Sequence, residues 1–103
     1  MIGTKMSEPK FKIGDLVITS DALEKLAKLN LQADMYLAKH IVGDWGEMPE
    51  EDKKLNDLSL SSKDCGDLWS IFVLPDNTRL WIVTTFFDSY DMSNTTIMLP
   101  EDY

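Results

Sequence analysis

Apolar positions along the chain change period twice, dividing it into a strand, a run of helices and a second group of strands. Phe11-Lys12-Ile13-Gly14-Asp15-Leu16-Val17-Ile18-Thr19 reads as a strand, with Gly14-Asp15 as a bulge or short turn. Ser20-Asp21 then offers a helix N-cap, with Glu24 three residues beyond Asp21. Ala22, Leu23, Leu26, Ala27 and Leu29 repeat at helical spacing, and Asn30 is a left-handed stop. A second helix is predicted from about Gln32 to Val42, where Met35, Leu37, Ala38, Ile41 and Val42 share one broad face. That phasing puts Tyr36, Lys39 and His40 on its polar side, with Gly43 just past its end. A third helix is predicted from Pro49, its first turn carrying Glu50, Glu51 and Asp52 and its core positions Leu55, Leu58 and Leu60. Ser59 to Gly66 reads as a polar connection.

The C-terminal third is β-branched and aromatic. Trp69 to Leu74, Arg79 to Phe87 and Thr95 to Leu99 read as strands, separated by turn-forming residues at Pro75–Thr78 and Asp88–Asn94. Strand, helices, then a meander imply an α+β fold: an antiparallel sheet of about four strands with two to three helices on one face. Residues 1–10 are expected to form a flexible arm and 11–103 a single domain. Trp69, Phe72, Trp81, Phe86 and Phe87 alternate at strand spacing and are expected to be mostly core, while those that face outward on a four-stranded sheet leave room for an exposed aromatic patch.

Composition narrows the function classes. The chain carries 18 acids against ten Lys and Arg, a net charge of −8, which disfavours direct contact with nucleic acid phosphates. A single cysteine, Cys65, flanked by acids, forbids an internal disulfide and reads as inert. No apolar run suits a membrane span and no signal peptide is visible, so a cytoplasmic location is expected.

The candidate chemistry gathers at His40-Ile41-Val42-Gly43-Asp44-Trp45-Gly46 and the acids that follow. In one reading Asp44 satisfies backbone donors of a turn, Gly43 and Gly46 take positive φ, and Trp45 packs on the sheet with its indole N–H bonded. His40 then serves the helix C-terminus. In the competing reading His40, Asp44, Trp45, Glu47, Glu51, Asp52 and Asn56 form a binding surface with Trp45 as its anchor. A third uses His40, Asp44, Glu47 and Asp52 as an acid–base or metal-dependent site. It has neither an evident nucleophile nor the nitrogen-rich ligand set that zinc prefers, so no catalytic residue, metal or cofactor is assigned. Arg79 is expected to pair with Asp76 or a nearby carboxylate.

Three segments carry a resemblance: His40 to Gly46, Glu51-Asp52-Lys53 with Asn56, and Leu80 to Thr84 followed by Thr95 to Tyr103 with its terminal Pro100-Glu101-Asp102-Tyr103. Together they resemble a family of short bacterial proteins borne on plasmids and integrative elements and loosely labelled plasmid-related. The resemblance spans about residues 11–103 and departs near Phe86 to Ser93, where this chain is longer and less basic. It implies no catalytic activity. The expectation is a small acidic regulatory module with a protein partner, in its sharper form an inhibitor of a DNA-binding or defence protein.

Overall fold

The computed structural model describes residues 9–62, 67–87 and 89–103. In chain order these form β1 (Asp15–Ile18), α1 (Ser20–Lys28), α2 (Ala33–Ile41), α3 (Glu50–Ser62), β2 (Leu68–Val73), β3 (Arg79–Phe87), β4 (Ser89–Met98) and a 3-10 turn (Pro100–Asp102). Residues 1–8 of the expected 1–10 arm, and Cys65, lie outside the described residues. Lys10 already belongs to the fold, its N–H donating to the Ile41 carbonyl at 2.7 Å.

The fold is α+β, but the sheet is mixed rather than antiparallel. Its order is β1-β4-β3-β2, and β1 runs parallel to β4 with Leu16 opposite Thr95 and Ile18 opposite Ile97. The meander was legible because hairpin partners are sequence neighbours. The direction of β1 depends instead on the helices, which return the chain to the end of the sheet where β1 began.

Alternation divides the two faces of the sheet. Phe72 of β2 with Leu74 just beyond it, Leu80 and Ile82 of β3, and Ile97 of β4 with Leu99 just beyond it meet Ala22 and Leu26 of α1 and Tyr36 of α2 in one core. Phe11, Trp45, Leu68 and Phe86 form a second, with Met48 and Leu60 packed against it. Trp69, Ile71 and Trp81 occupy the alternate positions and face the other way.

Both short helices end as their stop residues predict. Asn30 takes φ 58° after α1 and Gly43 takes φ 84° after α2. In each case the next two amides bond back to the last turn: Asn30 to Ala27 and Leu31 to Leu26, Gly43 to His40 and Asp44 to Lys39. The α1 N-cap is Thr19, not Ser20 or Asp21; its hydroxyl accepts from the Ala22 N–H at 3.2 Å.

Two helix phases need correction. In α2 the buried residues are Tyr36 and His40, whereas Met35 is exposed. Tyr36 stacks obliquely on Phe72, and the imidazole finds hydroxyl partners, so side chains that count as polar are the ones the sheet can accommodate. In α3 the buried residue among those described is Asn56, while Leu55 and Leu58 are 61% and 62% exposed. This helix faces the edge of β2, where backbone groups need partners. Asn56 donates to the Trp69 carbonyl at 2.8 Å and accepts from the Trp69 N–H at 3.4 Å.

The expected turn at Asp88–Asn94 is largely strand. β4 begins at Ser89, and the register jumps from Phe86 opposite Ser93 to Phe87 opposite Ser89. Asp76 pairs with Lys25 at 3.0 Å, so the expected pairing with Arg79 is not the one formed. No helix among the described residues is long and apolar enough to cross a membrane.

Candidate functional site

The Gly43–Glu47 segment is a joint between α2 and the edge of β2. Asp44 accepts the Gly46 N–H through Oδ1 at 3.1 Å, a side-chain turn of the kind aspartate forms readily. The chain then runs beside β2: the Ile71 N–H donates to the Trp45 carbonyl at 3.1 Å and the Glu47 N–H to the Ile71 carbonyl at 2.6 Å. Gly46 is required twice over. Its φ is 71°, and a Cβ there would overlap the Ile71 carbonyl oxygen. Together with Asn56 on Trp69, the joint covers the β2 backbone groups that would otherwise be an open edge.

Trp45 is buried, 3% exposed, with its indole N–H donating to Asp57 Oδ1 at 3.0 Å. Its ring lies nearly parallel to Phe11 and edge-on to His40. The turn reading therefore describes each residue of Gly43-Asp44-Trp45-Gly46.

His40 is fully buried, contrary to its expected place on the polar side of α2. Nδ1 lies 2.6 Å from Ser70 Oγ and Nε2 lies 2.9 Å from Thr84 Oγ1. Thr84 Oγ1 is 2.7 Å from Thr95 Oγ1, and Thr95 donates to the Ile13 carbonyl at 2.8 Å. The chain of bonds sets every proton. Thr95 has given its hydrogen to a carbonyl, so Thr84 donates to Thr95 and His40 Nε2–H donates to Thr84. Nδ1 is left bare to accept from Ser70. This imidazole is neutral, and burial pushes its pKa down to about 3.

A serine hydroxyl on an imidazole has the form of a nucleophile and base, but both side chains are wholly buried. No substrate atom reaches either in this arrangement, and the bond spans strand and helix as core hydrogen bonding. Of the other residues named from sequence, Asp44, Glu47 and Glu51 are exposed, Asp52 is half-buried and Asn56 is engaged with the β2 backbone. His40 and Trp45 are buried and bonded within the core, whereas Asn56, though buried, lies at the wall of a groove beside Trp69 and Trp81. Among the described residues no three His, Cys, Asp or Glu side chains come together to hold a metal ion.

A different surface is open. On the sheet face without α1 and α2, Trp69, Trp81 and Tyr103 pack edge to face with ring centroids 5.4–5.7 Å apart. Beside them runs a groove of about 420 Å³, bordered by Met48, Leu55 and Ile71, with Asp52 and Asp67 among its lining. The indole N–H of Trp81 is shut off from solvent and has no acceptor among the described residues. The 3-10 turn that carries Tyr103 is tied down by Asp102, whose Oδ2 accepts from the Thr19 hydroxyl at 2.7 Å and the Leu99 N–H at 3.0 Å. Thr19 above all, with Leu99, holds the Asp102 carboxyl below the usual range.

Alternation in the strands left room for an outward aromatic patch; Trp69 and Trp81, both half-buried, are the strand aromatics beside the groove. Ser70, Thr84, Thr95 and Asp57 were missed as partners of His40 and Trp45. A signal existed for Ser70 and Thr84: each interrupts an otherwise apolar strand face, between Leu68 and Phe72 and between Ile82 and Phe86, and together they demand a polar group from a helix. No family model, curated protein or solved structure matches the chain.

Proposed function

We propose that this chain is a small acidic protein-binding module of a mobile element, regulating its partner through the aromatic groove rather than through the Gly-Asp-Trp-Gly turn. One observation carries the reading. Apolar and aromatic side chains lie together on one face, Trp69, Ile71 and Trp81 half-buried and Leu55 61% and Tyr103 78% accessible, around a groove with Asp52 and Asp67 in its lining. Exposed apolar surface grouped this way, bordered by charge, is the form of a partner site. The acids Glu47, Glu50 and Glu51 lie close in sequence to Met48 and Asp52 of the groove, which suits a basic partner such as a DNA-binding protein.

The test is affinity capture from the host cell with three proteins in parallel. Wild type should retain a partner, Leu55→Asp with Tyr103→Ser should lose it, and Asp44→Ala with Glu47→Ala should keep most of it. Capture of nothing by wild type, or loss only in the Asp44/Glu47 variant, contradicts the reading.

A further inference from the structure

We infer that the groove selects a basic, extended segment of the partner, bringing a lysine or arginine side chain and a backbone carbonyl; this rests on the protein-binding reading above. Three features of the groove point to that chemistry. Asp52 and Asp67 line it, and neither has a cation against it among the described residues. Lys53, one residue from Asp52, lies 3.6 Å from Glu50 instead.

The aromatic wall complements the carboxylates. The faces of Trp69 and Trp81 attract a cation, and a guanidinium or ammonium seated over an indole keeps its apolar stem against Leu55 and Ile71. A volume of about 420 Å³ is that of a small-ligand pocket, suited to side chains of an extended segment rather than to a folded surface.

Trp81 supplies the third feature. Its buried N–H has no acceptor among the described residues, an arrangement that leaves a desolvated donor unsatisfied. A carbonyl brought by the segment satisfies it. Tyr103 packs on both Trp69 and Trp81 yet is 78% exposed, so it is the ring that yields to the incoming chain. An acidic segment would bring like charge toward Asp52, Asp67 and a net charge of −8.

The experiment titrates the ¹⁵N-labelled full chain with three capped pentapeptides, Leu-Lys-Leu-Lys-Leu and its Glu and Gln counterparts. The indole N–H signals are followed, with that of Trp81 assigned through Trp81→Phe. The lysine peptide should move the Trp81 signal downfield and leave that of Trp45, already bonded to Asp57, in place. Asp52→Asn with Asp67→Asn should weaken binding by about threefold to tenfold, the effect of removing two solvent-screened ion pairs. The charge-matched Asp15→Asn with Asp34→Asn should change it by less than about twofold.

Equal binding of all three peptides overturns the charge selection while leaving a protein-binding groove. Equal losses in both double variants reduce the effect to net charge and overturn it too. If no peptide moves the Trp81 signal while groove-dependent capture persists, the inference fails alone.

Discussion

Acidifying the protein from pH 7 to pH 5 should remove about 2 kcal/mol of folding stability through His40 alone. The unfolded chain binds a proton at an ordinary histidine pKa of about 6.5, whereas the folded chain holds this imidazole neutral down to about 3. The depressed group makes the unfolded state the better proton binder between those values. Its contribution is whole above pH 6.5 and declines as the pH falls toward 3. Linkage then gives a loss of about 2 kcal/mol at pH 5 and about 3 kcal/mol at pH 4. The chain has one histidine, and the aspartate reference value is 3.8, so the interval from pH 7 to 5 belongs chiefly to this group.

The assay is the urea midpoint at fixed ionic strength across that range. In His40→Gln the starting stability should be lower, because Ser70 and Thr84 lose their partner, but its slope between pH 7 and 5 should be nearly flat. Wild-type stability that does not change from pH 7 to 5, or an imidazole that titrates near 6.5 in the folded protein, would refute the buried neutral tautomer.

Other substitutions probe the joint and the groove. Gly46→Ala forces a side chain into positive φ and into the Ile71 carbonyl; urea unfolding should show a loss above about 2 kcal/mol. Asn56→Ala strips the Trp69 N–H and carbonyl of their partners and should cost about 1–3 kcal/mol, with increased self-association by light scattering as the β2 edge opens. Trp45→Phe keeps a ring against Phe11 but deletes the bond to Asp57, a loss of about 1 kcal/mol by the same unfolding assay. Tyr103→Ala should leave stability within about 0.5 kcal/mol while altering the fluorescence of Trp69 and Trp81, which it touches.

Local punctuation was legible in this chain and long-range partnership was not. Asn30 and Gly43 announce their helix ends because positive φ is a property of the residue itself. The same holds for the Asp44 turn and Gly46. His40 was misplaced because helical phasing scores a side chain by its average preference for water. Its actual position depends on Ser70, Thr84 and Thr95 arriving from three strands. Asn56 illustrates the same point from the other side, since a helix that seals a strand edge needs an amide where a core helix needs a leucine. The parallel pairing of β1 with β4 joins residues such as Asp15 and Asn94, far beyond the reach of any local period. The outward aromatic patch could be anticipated from strand alternation, but its acids could not, because Asp52 belongs to α3 and Asp67 precedes β2.

The Gly-Asp-Trp-Gly segment is a structural joint, and the proposed partner contact falls to the groove. Site-specific photocrosslinking in the host cell separates the two most directly. A photoreactive amino acid placed at the position of Leu55 should yield a protein adduct, and one at the position of Asp44 should yield none. An adduct from position 44 with none from position 55 would contradict the account.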